Sequence, residues 1–473
     1  MNTVSTLDRE ELRKLTKDQL IDIIFELSEK LDAQATRIDA LERAAARSAS
    51  PFSKGKGKGA KKKPGRKKGK GPFCNRVEPK AMPSDQVETT KVPLESGKCP
   101  ECGENLDVKV EVASTIDAPA MPPRVIERFE VETGECPSCG AKVRGRHPDL
   151  PADQFGACAH RVGVNVLARA FAMHYYSGMT LRKTAEAIGI ITGIGITQGA
   201  LTQQAKKLCG KDGCFGKAYL GLRREIRREP VVNTDDTGWR TGGLPSYLMG
   251  FFTPSVAVYQ VRDRHRHQEV QEMLGEDFDA ILGTDRGTSY EAKAFDLLEQ
   301  QKCLSHLLKN LSDVEKTKRG RARCFTRDLK KTLRAALGLW REYSSGKIDM
   351  IEYRRRGGKI ELKLSCQLRN RVLSDKDNQR MLDGIGMQHD RGRILLFLRH
   401  PEVEPTNNRA ERGLRPAVIA RKVSQCSRNK TGAGIFEVMK SITATLALRG
   451  QNIAAGLADL MTGGSMPAKV PSR

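Results

Sequence analysis

The sequence predicts a mixed α/β core, interrupted by a helical insertion and preceded by smaller modules. Three observations carry this. Two apolar runs, VVNTD (231–235) and DAILGTD (279–285), each end in an aspartate. Between them, PSYLMGFFT and SVAVYQVRD read as two strands of a meander separated by Pro254. On either side, the apolar residues recur at helical rather than strand spacing.

The chain has 473 residues and a net charge of +25, from 82 lysines and arginines against 57 acids. That length is a prior for about three domains. Such a charge favours a polyanionic partner, with nucleic acid first. The basic runs at 321–334, 353–359 and 412–430 mean the charge is not confined to one tail. No run of 18 or more apolar residues offers a membrane span, and the polar stretch Met1–Arg13 has no secretory h-region. Twelve cysteines with two CxxC pairs suit a reduced, cytoplasmic setting.

Residues 8–48 read as one helix. Leu20, Ile24, Leu27, Leu31, Ile38 and Leu41 follow a four-three spacing, with Gln34 at the one polar seam position. This is the a/d pattern of a short coiled coil, so a homo-oligomer is expected. A helix packed on its own protein is the alternative. Residues 49–72 are rich in glycine, proline and lysine, and are expected to be a disordered basic linker. Lys61, Lys62, Lys63, Arg66, Lys67 and Lys68 there would meet phosphates without reading sequence.

Within 90–147, Cys99-x2-Cys102 and Cys136-x2-Cys139 are each followed by glycine. Four thiolates in two knuckles predict a closed, structural zinc site in a ribbon. Residues 158–225 read as a helical domain. LRKTAEAIGI and TQGALTQQAKKL flank a glycine-containing turn, the form of a helix-turn-helix. The second helix would offer Thr197, Gln198, Thr202 and Gln203 to base edges.

The core is expected in two parts, 228–311 and 401–460, around an insertion at 312–400. Three antiparallel strands, a helical stretch at Glu269–Leu274 and two further strands, with another helix over SYEAKAFDLLEQ (289–300) between the last two, make the element order of an RNase H-like fold. In that fold Asp235 and Asp285 end adjacent strands, where paired carboxylates can hold two Mg²⁺ (or Mn²⁺) ions. Asp236 is the rival first ligand, because neighbours on a strand face opposite ways. A third acid should come from a later helix. Glu411 is a candidate, with Glu402 and Glu404 as rivals. Asn408 and Glu411 also have the spacing of a helix cap, which would give Glu411 a purely structural role. ILLFLRH (394–400) reads as helical.

Several motifs are similar to those of one family: DDTGW (235–239), Thr284-Asp285, Cys303-x2-His306, NNRAERGLRP (407–416) and RKVS (421–424). Over nearly its whole length the chain resembles the IS66-family transposases of bacterial insertion sequences. The resemblance implies a DDE transposase with Asp235, Asp285 and Glu411 as catalytic, metal-holding acids. It implies cleavage at element ends followed by strand transfer, DNA as substrate and target, and accessory proteins of the same element. His306 would stand near the metals as a phosphate contact, an orienting group or a structural histidine. Arg412, Arg415, Arg421, Lys422 and Arg428 flank the third acid and would contact phosphates. A nucleoid-associated location in the cytoplasm follows from DNA as partner. The family usually has glutamate where this chain has Asp236, and a basic run where it has LLKN after His306. A DNA-binding protein with a decayed core, or an RNase H-like nuclease, are the competing readings.

Overall fold

The computed structural model describes residues 16–34 (apart from 22, 26, 30 and 33), 130–145, and 162–469 (apart from 370). The basic linker with Lys61–Lys63, Arg66, Lys67 and Lys68, and the first cysteine pair Cys99 and Cys102, lie outside the described residues.

The N-terminal helical residues begin at 17. Thr16 caps them reciprocally: the Gln19 N–H donates to Thr16 Oγ1 at 3.4 Å, and the Thr16 N–H donates to Gln19 Oε1 at 3.0 Å. Ile24, Leu27 and Leu31 on this helix are 64%, 45% and 65% exposed, so an apolar seam faces outward. Residues 130–145 hold a hairpin of β1 (Thr133–Glu135) and β2 (Lys142–Arg144), paired antiparallel around the second cysteine pair.

The centre of the fold is a five-stranded sheet. β3 (Val231–Thr241), β4 (Leu244–Phe252) and β5 (Ala257–Arg262) form an antiparallel meander. β6 (Ile281–Thr284) pairs parallel with β3, and β7 (Gln300–Lys302) pairs parallel with β6. The order β5-β4-β3-β6-β7 is compatible with an RNase H-like core. Both faces of β4 are buried: Leu248 and Phe252 on one, Met249 and Phe251 on the other. This explains a near-continuous apolar run in place of clean alternation.

Before the sheet come helices α1 (Val164–Phe171), α2 (Leu181–Thr192), α3 (Gln198–Cys209) and α4 (Cys214–Ile226), with a π-helical turn at Ala172–Tyr176. Helix α5 (His267–Leu274) follows β5, and α6 (Leu304–Lys316) follows β7. Helices α7 (Ala322–Ser344), α8 (Met350–Leu368) and α9 (Lys376–Asp390) come next and share an apolar core, built on Leu329, Leu333, Tyr353, Leu364 and Leu382, with α6. Then α10 (Asn408–Ser424) and α11 (Lys430–Leu448) return to the sheet, and α12 (Ile453–Met461) ends the described fold. A second core joins α1–α4, α11 and α12 to the face of the sheet that carries Met249 and Phe251.

Two segments differ from the expected helices. SYEAKAFDLLEQ forms 3₁₀ turns at Thr288–Tyr290 and Lys293–Phe295. The chain must return within a few residues to lay β7 beside β6. Its shape is fixed by side chains: Gln300 Nε2 donates to the carbonyls of Tyr290 (3.0 Å) and Phe295 (3.3 Å), and Lys302 pairs with Glu291 at 2.6 Å. ILLFLRH likewise holds only a 3₁₀ turn, Leu396–Leu398, because all of Ile394–Leu398 is buried and Gln301 and Tyr353 bind its backbone.

Helix α10 lies unusually close to the sheet. A Cβ on either Gly250 in β4 or Gly413 in α10 would overlap the buried Phe252 ring. Tyr259 packs edge-on to that ring at 5.4 Å and donates its hydroxyl to the Gly413 carbonyl at 2.6 Å. Gly413→Ala should therefore cost about 1–3 kcal/mol through overpacking. Phe252→Leu should recover part of that loss when combined with it. Thermal melts of the three variants check both the loss and its non-additivity.

Lys440 of α11 is 2% exposed, and its ammonium donates to the Tyr175 carbonyl at 3.2 Å. Burial pushes its pKa from 10.5 down to about 8. Below pH 8 folded and unfolded chains are both charged there, so the burial cost is complete. Between 8 and 10.5 the folded chain sheds the proton first, and the cost disappears. Lys440→Met should raise stability by roughly 2 kcal/mol at pH 7 after the lost hydrogen bond is counted. The gain should vanish by about pH 10.5, as denaturant titrations at the two pH values would show.

Candidate functional site

The parallel pairing of β3 with β6 sets the site. Val231 faces Ile281, Val232 faces Leu282 and Asn233 faces Gly283. Two residues further on come Asp235 and Asp285; Asp285 follows the end of β6 as expected, but Asp235 lies inside β3, which runs on to Thr241 because it pairs with β4 along that whole length. Gly283 has no side chain because Asn233 Nδ2 occupies the space where a Cβ would go. Past β6, the Gly287 N–H donates to Asp285 Oδ1 at 2.7 Å and holds that carboxylate against its own turn.

Helix α10 brings the third acid. Asn407, just before the helix, is 1% exposed. Its Nδ2 donates to the Thr234 carbonyl at 2.8 Å, and its Oδ1 accepts from Asn233 Nδ2 at 3.2 Å. Asn407 thus bolts the start of α10 to β3, beside Asp235, and one turn later comes Glu411. The cap suggested by Asn408 and Glu411 is absent: the helix begins at Asn408, its cap residue is Asn407, and no side chain caps it. The asparagine amide is spent on the strand instead. The rival acids are engaged elsewhere, Glu404 with Arg409 at 2.6 Å and Glu402 with His400 at 3.3 Å.

Asp235 and Asp236 part ways as neighbours on a strand must. Asn233, Asp235, Thr237 and Trp239 share one side of β3; Trp239 packs there with Ala410, Leu414 and Ala417 of α10, and Arg421 donates to Thr237 Oγ1 at 3.2 Å. Asp236 lies on the other parity, 3.4 Å from His265 Nδ1, and His265 stacks on Tyr247 at 4.2 Å. Burial pushes the Asp235 pKa up to about 7, with the charges of Asp285, Asp236 and Glu411 adding to the rise and the Asp236 N–H opposing it. Asp235 is thus a partly buried carboxyl that feels the charges of three other acids, and carboxylate oxygen is the donor type that suits hard divalent cations.

The cations around α10 divide into two groups. Arg412, Arg415 and Lys422 are exposed, and Arg428 is exposed beyond the helix end. Arg412 and Arg415 line an open cavity of 250 Å³ with Tyr176, Ser177, Gly178, Pro416 and Ile419. Pro416 removes the N–H that would bond the Arg412 carbonyl inside the helix. Arg421 is turned inward, donating also to the Gly238 carbonyl, so it struts α10 against β3.

His306 is half-exposed on the first turn of α6, with Nε2 3.7 Å from Glu411 Oε1. The preceding cysteine of its motif, Cys303, is buried. Sequence reasoning missed Asn407 as the clamp and His265 as the neighbour of Asp236. For Asn407 the motif NNRAERGLRP was the available signal; for His265 the charged run 263–267 offered none that pointed to Asp236.

In the hairpin, Gly140 has a left-handed φ of +69° and its N–H donates to the Cys136 carbonyl at 2.9 Å. The Cys136 N–H donates to the Ala141 carbonyl at 2.9 Å, closing a tight turn around Cys136 and Cys139. Backbone N–H groups of Cys139 and Ser138 hold the Cys136 thiol below its ordinary pKa. In the helix pair α2–α3, Gly193 takes φ +64° at the turn. Thr197 caps α3 by accepting from the Ala200 N–H at 3.1 Å, and Thr202 donates back to the Gln198 carbonyl at 2.9 Å. Gln198 and Gln203 also lie exposed on this helix.

Among the described residues no helix is long and apolar enough to cross a membrane. No curated protein matches the chain. The family model described as "Transposase IS66 family" matches residues 160–435, which spans the helical segment, both aspartates, the α7–α9 helices and α10 with Glu411. With well over half of its residues inside that match, the chain belongs to the IS66 transposase family.

Proposed function

We propose that the protein cleaves DNA at insertion-sequence ends and joins the freed strand to target DNA, with Asp235, Asp285 and Glu411 as its catalytic acids. The observation that carries this reading is the register of β3 and β6 together with the Asn407 clamp. On this reading three elements would supply one acid each, and the pairing of the competing acids with other partners supports the choice of Glu411.

These carboxylates would hold two Mg²⁺ or Mn²⁺ ions, which activate the attacking oxygen and stabilise the leaving oxygen in phosphoryl transfer. The chain's own residues do the rest. Asn407 and Arg421 hold α10 against β3, and with it the backbone position of Glu411. Arg412 and Arg415 bind backbone phosphates beside the acids, and Tyr176 offers an aromatic face for an unpaired base at the same groove. Arg421 is a strut rather than a phosphate contact. Gln198 and Gln203 of α3 read base edges, while Thr197 and Thr202 serve the helix itself.

Cys136 and Cys139 form one knuckle of a structural zinc site completed by Cys99 and Cys102, stabilising a module too small for a core of its own. The lowered thiol pKa and left-handed Gly140 support that use. The outward seam Ile24, Leu27 and Leu31 supports self-association through the N-terminal helix. In this organisation α7–α9 are an insertion between the core halves, and accessory proteins of the element join the complex on DNA at the nucleoid.

Incubation with an element-end duplex and Mg²⁺ or Mn²⁺ should give cleavage and joined products. Asp235→Ala and Glu411→Ala should each lower the rate by on the order of 10²–10³-fold. Asp236→Ala should lose less than about 10-fold; equal losses at both aspartates would reverse the choice of first ligand. Cleavage without joining would identify a nuclease.

Arg412→Ala and Arg415→Ala should weaken DNA binding across sequences. Each should also reduce the slope of log affinity against log salt by about 1, measured by anisotropy over a salt series.

A further inference from the structure

We infer that Cys303, His306 and Glu411 form a separate site for a thiophilic divalent cation such as Zn²⁺, and that its occupation withdraws Glu411 from the catalytic acids. The inference rests in part on the catalytic role proposed for Glu411. Among the described residues, these three offer a sulfur, an imidazole nitrogen and a carboxylate oxygen all within 4.8 Å of one another.

The three donors come prearranged. Cys303 stands immediately before α6 and His306 one turn on, which is the spacing that brings two side chains together on a helix. The Cys303 N–H donates to the Thr284 carbonyl at 2.9 Å, and Cys303 Sγ accepts from the Asn407 N–H at 3.2 Å. The thiol is therefore tied to the end of β6, the start of α6 and the start of α10 at once. His306 Nε2 lies 3.7 Å from Glu411 Oε1. His306 Nδ1 is buried and has no hydrogen-bond partner, an unsatisfied atom that a ligand would account for.

The donor set selects the ion. Magnesium avoids sulfur, whereas zinc binds thiolate, imidazole and carboxylate readily. Three protein ligands leave a tetrahedral ion one open position, for water or a phosphate oxygen. Asp235, Asp285 and Glu411 do not form such a close group among the described residues. Glu411 is thus shared between two cation sites of different chemistry. A zinc-like ion on the Cys303 side would hold Glu411 there and oppose Mg²⁺-supported chemistry.

The test uses the full-length protein with its zinc knuckles loaded. Co²⁺ is titrated without DNA, and the sulfur-to-cobalt charge-transfer band is compared in wild type, Cys303→Ser and His306→Gln. The expected result is a band component lost in Cys303→Ser and weakened at least 10-fold in affinity in His306→Gln. Zn²⁺ is then added to Mg²⁺-supported DNA cleavage. The concentration for half inhibition should rise at least 10-fold in Cys303→Ser. Melting curves for both variants report whether each is folded, and either folded variant suffices. Identical cobalt bands in wild type and a folded variant would overturn the site. A changed band with equal zinc inhibition would overturn the competition for Glu411. If wild type fails to cleave DNA with Mg²⁺ at all, the proposed function fails, while the cobalt band still decides the ligand set.

Discussion

The close seating of α10 on the sheet is the constraint on which the site depends. Two glycines, one on β4 and one on α10, leave room for a single aromatic ring between helix and sheet. Tyr259 then hydrogen-bonds the helix backbone at Gly413, and Asn407 bonds the backbone and side chain of β3. Apolar packing alone is non-directional and would let a helix slide or rotate. The hydrogen bonds of a buried amide and a buried phenol remove that freedom, because leaving either unsatisfied would cost about 1–3 kcal/mol. An acid one turn beyond Asn407 inherits this precision, although Glu411 itself is exposed.

Strand content was legible in the sequence because buried strands are short, apolar and β-branched, and because both aspartates follow such runs directly. The sheet order and the parallel register follow from pairing between distant segments, which local pattern does not encode. The segment 289–300 shows the opposite case. Its composition favours helix, yet buried Tyr290, Phe295 and Gln300 hold it in short turns, since tertiary anchoring outweighs propensities worth a few tenths of a kcal/mol per residue. For the candidate site, residue types gave two acids and left the third open between a cap and a ligand. The cap reading fails on a physical detail: Asn408 is already the first helical residue, and the amide of Asn407, the residue at the cap, spends its donor and acceptor on two partners in β3.

The same division explains the arginines. On sequence, Arg412, Arg415 and Arg421 are equivalent members of a basic run. On a helix, the first two lie one turn apart and exposed, while Arg421 lies over β3 and meets Thr237 and the Gly238 carbonyl. A guanidinium with several fixed donors suits such a strut better than a lysine would. Charge in the sequence does not by itself separate an arginine spent on protein partners, as Arg421 is, from one left exposed.

The overall charge of +25 and the acidic centre belong to one electrostatic design. A polyanion is drawn by the basic exterior, with an attraction that salt weakens. At the centre, acids are gathered until burial and mutual repulsion lift the Asp235 pKa to about 7. Bringing a phosphate chain to that point without a cation would add like charge to like charge. In the proposed function the exposed Arg412 and Arg415, next to Glu411, would lower this conflict from the protein side, and divalent cations held by the acids would lower it from within. If these carboxylates hold the cations as proposed, protein folding, cation binding and DNA binding would be coupled through the same few groups, and His306, 3.7 Å from Glu411, would gain leverage over all three by holding that acid elsewhere.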